Sequence, residues 1–213
     1  MLDWVKVGKD AVSLFAIIDP IGSVAIFLSL TAQMTELQKK QTATITAITM
    51  GIVLIVSLLI GEKFLQLFGI SIPAFKVGGG ILIFLLAIAM LNAQIPGIKR
   101  TKEEQQEAEE AEDVRTIGVV PMAIPLLAGP GAISNVIINS YKITSMTGYL
   151  VYILTIILIA LFTWLTYRWG VSISSHLGRT GINIVTRLMG LLLAAISVEI
   201  IANGLKGLFP ILA

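Results

Sequence analysis

The sequence predicts an all-α, polytopic membrane protein of six transmembrane helices, arranged as two inverted three-helix repeats with helices 1 and 4 broken. Three observations predict it. Of the 213 residues, 56% are hydrophobic and only 13% charged, and the mean hydropathy is +0.91, outside the range of ordinary soluble domains. Six apolar stretches are each long enough to cross a hydrocarbon layer, at roughly 8–33, 42–61, 72–94, 116–140, 147–168 and 184–207. Two of the six carry helix-breaking residues at their middle, in the same place within each half of the chain.

The first stretch, Ala11 to Thr35, is interrupted by Asp19-Pro20-Ile21-Gly22-Ser23. Proline removes a backbone donor and crowds the preceding turn, while glycine permits unwound geometry. A carboxylate near the bilayer midplane costs at least a few kcal/mol unless it faces protein or water. The second stretch, Thr42 to Gly61, and the fifth, Thr147 to Tyr167, carry no charge and read as plain lipid-facing helices. The third opens near Pro73 and runs through Gly78-Gly79-Gly80, which in a membrane allows close helix approach. The fourth is interrupted by Ala128-Gly129-Pro130-Gly131-Ala132-Ile133-Ser134, with Pro121 and Pro125 as further candidates for a kink. The sixth holds Gly190 and the other deeply placed acid, Glu199.

These spans divide the chain into a first repeat (1–97), a charged linker (98–115) and a second repeat (116–213). In the linker, Lys99, Arg100 and Lys102 precede seven acids between Glu103 and Asp113, the pattern of a solvated connector. Basic residues are richer on the face that would hold Lys39, Lys40, Lys99, Arg100, Lys102, Arg115, Arg168, Arg179 and Arg187. That face is expected to be cytoplasmic, with both termini outside and the protein in the cytoplasmic membrane. No small-residue cleavage site follows the first apolar run, so it is not expected to be a removable signal.

A shift of 111 positions aligns Ser23 with Ser134, Ile26 with Ile137, Lys76 with Arg187, Gly79 with Gly190 and Asn92 with Asn203. Each half would cross three times, an odd number, so the second enters from the opposite face, as in many secondary transporters. In each broken span the second half-helix is expected to restart near Ser23 or Ser134, with the serine as its N-cap. Restarting helix ends expose unpaired N–H groups and a positive dipole end suited to a carboxylate. The unwound carbonyls before each restart suit an ammonium or another cation. Together they fit a small zwitterion, and glycine and alanine around the breaks leave room for close backbone contact.

At these residues the chain resembles the MarC family of integral membrane proteins, which includes small neutral amino acid transporters. The stretches that carry the resemblance are Leu14 to Ser23, Pro121 to Ile133 and Arg187 to Ala195. It covers nearly the whole chain apart from the acidic linker, and it implies six spans in two inverted halves and movement of glycine, alanine, serine or threonine. Many relatives have Asn where this chain has Ser23, and often Gln where it has Glu199.

The substrate-binding residues expected are therefore Asp19, Pro20, Ile21, Gly22 and Ser23 with Ala128, Gly129, Pro130, Gly131 and Ala132. Asp19 could bind the ligand ammonium, carry a coupling proton or cap the restarted helix; Glu199 is the second candidate for proton coupling. Asn92 and Asn203 could cap helices or line the path, capping being the preferred reading, and His176 is read as a surface residue. A channel or an exporter for other small polar solutes is the alternative function. The partners expected are a small neutral amino acid, the lipid bilayer and a coupling ion, proton or sodium. No enzymatic activity, cofactor or metal is expected: no catalytic pairing stands at suitable spacing, no Walker motif is present and there is no cysteine. A net charge of +2 with three Trp and four Tyr offers no nucleic-acid surface.

Overall fold

A computed structural model describes residues 4–92 and 114–209, and every regular element among them is helical. α1 (Trp4–Ile18) and α2 (Val24–Leu30) flank the first break, and α3 (Glu36–Leu67) and α4 (Ile72–Leu91) follow. In the second half, α5 (Val114–Ile117) runs into a wider-wound segment, Gly118–Leu127. α6 (Pro130–Ser140), α7 (Met146–Arg168) and α8 (Gly170–Leu208) complete the order. The charged linker lies outside the described residues, apart from Val114 and Arg115.

Four helical runs are long and apolar enough to cross a membrane: α3, α4, α7 and the Thr180–Leu208 part of α8. Gly118–Leu127 with α6, bent by 59°, makes a fifth. The expected first span is not among them. Its longer piece, α1, has 15 residues, which at ~1.5 Å per residue is about 22 Å, short of a full hydrocarbon layer. The outward faces of the long helices are apolar, with Ile48, Ile52, Val56 and Leu59 exposed on α3 and Leu150, Leu154, Leu158 and Leu161 on α7. Spacing of three and four residues puts each set on one stripe, as a lipid-facing surface requires.

Helix starts follow their sequence signals. Thr35 and Gln38 form a reciprocal capping box, so α3 begins at Glu36, six residues before the expected start at Thr42. Ser71 accepts from the Ala74 N–H to start α4, whose second residue is Pro73, and Ser145 does the same for α7 through the Gly148 N–H. Asn92 ends α4 as expected. Asn203 does not cap; it lies inside α8, which continues to Leu208 through Gly204 and Gly207, both packed against Pro73 of α4. His176 is exposed, its Nδ1 2.7 Å from the Ser172 carbonyl oxygen.

The most extensive packing joins α4 to α8, the third long helix of each half. Glycines make it close. A Cβ on Gly190 would stand 2.9 Å from Met90 Cβ and 3.1 Å from the Ala87 carbonyl oxygen, and one on Gly80 would stand 3.2 Å from the Ile201 nitrogen. Of the three consecutive glycines, Gly80 thus packs against α8 and Gly79 against Ser134, whereas Gly78 faces open space. α3 packs on α7, α6 and the Gly118–Leu127 segment, and α6 also packs on α4.

The glycine contacts generate a paired expectation. Gly190→Leu overfills a backbone contact and should cost about 1–3 kcal/mol, lowering the thermal unfolding midpoint in detergent. Gly78→Ala should leave that midpoint unchanged, because nothing lies within 4 Å of a Cβ there.

Candidate functional site

At the first break the chain leaves α1 through Asp19, whose φ of 43° places it in the left-handed region, where Asp is tolerated better than most residues. The carboxylate then turns back onto its own chain. The Gly22 N–H donates to Asp19 Oδ1 at 3.1 Å, and the Ser23 N–H to the Asp19 carbonyl at 3.0 Å. Thr186, from α8, hydrogen-bonds the same carboxylate. A Cβ on Gly22 would collide with both the Asp19 carboxylate and the Thr186 hydroxyl, so only glycine fits this approach.

Ser23 does not cap α2. Its hydroxyl points back, shared between the carbonyl oxygens of Asp19 at 2.9 Å and Pro20 at 3.1 Å. It accepts in turn from the Tyr167 hydroxyl at 2.8 Å. The Tyr167 ring stacks on Phe27, with centroids 4.5 Å apart, so α7 holds the start of α2 by both ends of one side chain. No side chain caps α2; the Asp19 carboxylate instead bonds the turn ahead of it, through the Gly22 N–H.

The second break is built differently. Val120 and Ile124 take extended φ/ψ of −127°, 122° and −128°, 126°, each directly before a proline, whose ring disfavours helical geometry in the preceding residue. Both X–Pro bonds, Val120–Pro121 and Ile124–Pro125, are cis. The Gly118 carbonyl accepts from the Thr46 hydroxyl at 3.0 Å, and the Ala128 N–H donates to Ala123 O at 2.8 Å. A side chain on Gly129 would meet the Pro125 carbonyl oxygen. The restart comes at Pro130, four residues before the expected Ser134. Proline is well suited to the first helical position, and Ser134 lies one turn into α6 against Gly79.

The two breaks meet through α1 and α6. Asn135 Nδ2 donates to Ser13 Oγ at 2.9 Å, and one turn further a Cβ on Gly131 would sit 3.7 Å from Ile17 Cγ2. A cavity of about 40 Å³ lies beside the first break, with Asp19, Gly22, Ser23 and Thr186 as its polar lining and Leu126 contributed by the second half. At ~10–15 Å³ per water this holds two or three waters. Of the other expected site residues, Pro20 and Ile21 form the turn behind Asp19. Ala128, Gly129, Gly131 and Ala132 are buried in helix packing, and Pro130 is exposed. Glu199 faces elsewhere. It lines a wider cavity of about 750 Å³ with Lys9, Asp10, Ser13, Asn135, Asn139, Lys142 and Asn203.

Sequence reasoning missed Thr186, Tyr167, Ser13, Asn135 and Asn139. Asn135 and Asn139 carried a usable signal, two amides at i and i+4 on one face of an apolar span. Tyr167 and Thr186 carried none, since both come from distant helices.

Gly22→Ala should destabilise the protein by about 1–3 kcal/mol through the collision with Asp19 and Thr186, read as a lower unfolding midpoint. Because Asp19 is one of the atoms it meets, Gly22→Ala combined with Asp19→Ala should lose less than the sum of the two single changes.

The MarC family profile, described as MarC family integral membrane protein, matches residues 4–209. The chain is 39% identical over 202 residues to the UPF0056 membrane protein YhcE of Escherichia coli (strain K12), covering 95% of this chain and 93% of that one. It is 40% identical over 201 residues to the UPF0056 membrane protein YvbG of Bacillus subtilis (strain 168), covering 94% of each. A UPF0056 membrane protein of Pyrococcus horikoshii is 39% identical over 198 residues, covering 93% of each chain. No solved structure gives a significant match. With its helices, its apolar outer faces and a match spanning both breaks, the chain belongs to the MarC family of integral multi-pass membrane proteins.

Proposed function

We propose that this chain is a secondary transporter of small neutral amino acids in the cytoplasmic membrane, working by alternating access around its two helix breaks. The observation that carries the reading is the Asp19 carboxylate, held on an unwound segment beside a small cavity in a chain otherwise faced with apolar side chains. Non-helical backbone and an acid at membrane depth are retained where they meet a polar solute or ion. Asp19 is an anion, so the ligand group it would receive is the ammonium. The start of α6, at Gly131 and Ala132, would offer N–H groups and a positive dipole end to the carboxylate.

Alternating access follows from the two-half organisation. The order of elements recurs at the 111-residue offset: α2 falls on α6, α3 on α7, and α4 on the second part of α8. In this reading α1 with α2 forms a broken sixth crossing, the two halves run in opposite senses, and the acidic linker lies in the cytoplasm with both termini outside. The roughly 40 Å³ beside Asp19 is too small for an amino acid, so the site must widen to admit one. A site that has to change shape, separate from a wider cavity, favours a carrier over an open pore. Coupling to a proton through Asp19, with sodium as the other ion to be tested, completes the proposal.

Proteoliposomes loaded with labelled alanine or serine should exchange them saturably, and a pH gradient should drive accumulation. Asp19→Asn should reduce exchange by about tenfold or more, as loss of a charge-assisted contact worth at least ~1.4 kcal/mol requires. It should also abolish the response to the pH gradient. Absence of exchange by every small neutral amino acid would remove the substrate assignment, and an unchanged pH response in Asp19→Asn would remove the coupling role.

A further inference from the structure

The wider cavity has a composition that the transport reading above does not use. Lys9 on α1 and Glu199 on α8 both line it, both are exposed, and neither has an ion-pair partner among the described residues. Asp10 and Lys142 add one further charge of each sign, both already partnered. Among the described residues the lining is therefore charge-balanced, with Lys9 and Asp10 on α1, Lys142 after α6 and Glu199 on α8. Its floor is neutral and polar. Asn135 and Asn139 are 2% and 4% exposed and linked to each other at 3.2 Å, with Asn139 also donating to the Tyr152 hydroxyl at 3.2 Å. Lys142 donates to Asn139 Oδ1 at 2.8 Å, which fixes the amide orientation.

We infer that this cavity is an outer binding site for small zwitterions, distinct from the Asp19 site and shut off from it by the Ser13–Asn135 hydrogen bond. A balanced lining favours a zwitterion over a net anion or cation, because either ion would face a like charge as well as an opposite one. At about 750 Å³ the space admits a hydrated amino acid, whereas the cavity beside Asp19 does not. Closure is built in two rungs between α1 and α6. Ser13 meets Asn135, and one turn deeper Ile17 meets Gly131. The zwitterion class rests on the small amino acid reading; the cavity and its closure do not.

The chain has no cysteine, so one introduced thiol reports on one position. Nothing lies within 4 Å of a Cβ on Gly8, which faces this cavity, so Gly8→Cys should fold; Asn203→Cys is an independent reporter on the opposite wall. Thr186→Cys reports from the Asp19 cavity. In nanodiscs holding the full chain, a charged methanethiosulfonate reagent should label Gly8→Cys and Asn203→Cys and leave Thr186→Cys unlabelled. Alanine should protect the first two, and equal concentrations of glycerol or sodium chloride should not. Adding Glu199→Gln or Lys9→Gln should raise the half-protecting alanine concentration by about fivefold or more, the effect of deleting one charge near a screened ligand. Equal protection by salt or glycerol, or full protection in both charge variants, would overturn the outer site. Labelling needs no flux. Protection by alanine in a chain that exchanges no amino acid keeps this site and sinks only the transport reading, while exchange without protection does the reverse.

Discussion

Everything in this fold answers to one constraint: peptide groups in hydrocarbon must find partners inside the protein. At the first break the Asp19 carboxylate meets it by accepting from the Gly22 N–H, while Thr186 steadies the carboxylate from α8. Without those contacts the turn from Asp19 to Ser23 would leave donors unpaired at a depth where each costs several kcal/mol. Ser23 and Tyr167 complete the arrangement by covering the carbonyls of Asp19 and Pro20. The break is thus held by four side chains, Asp19 and Ser23 of the break itself, Tyr167 of α7 and Thr186 of α8. It is a built feature of the fold.

The second break meets the same constraint by another route. Prolines at 121 and 125 hold the residues before them out of helical geometry, and the freed Gly118 carbonyl is covered by Thr46 of α3. Few polar side chains take part. The α1–α6 contact then ties the two solutions together, through Asn135 and Ser13 on one rung and Gly131 and Ile17 on the next. A polar rung beside an apolar one makes a contact that holds firmly while closed and leaves its amide and hydroxyl free to meet water or solute when parted.

Much of this was legible in the residues. Apolar length gave the long helices, because a span needs little beyond a run of about 20 apolar side chains. Asp19-Pro20 and Gly129-Pro130 marked both breaks, since proline and glycine act locally. What failed to read out was long-range. Ser23 has the chemistry of an N-cap, yet its hydroxyl is drawn to the Asp19 and Pro20 carbonyls and to Tyr167, 144 positions away. Ser134 looked like a restart by analogy with Ser23, but Pro130 was the stronger local signal and determined the start of α6. The first stretch read as one span of 26 residues or so; split at Asp19, neither half is long enough alone.

The separation of the two acids constrains any account of movement. Asp19 and Glu199 lie in different cavities, with the α1–α6 contacts of Ser13 with Asn135 and Ile17 with Gly131 between them. A solute passing from one to the other must part those rungs, and that motion cannot come from α4 and α8. Their glycine contacts bring backbone to within van der Waals distance of side chains, so sliding one helix along the other would lose packing at Gly80, Gly190 and Gly204 together. In the transport reading proposed above, the pieces that would move are the short helices beside the breaks, α1, α2 and α6, against a frame formed by α4 with α8. Breaking a span halfway creates a polar site and also shortens the helix that must move to open it.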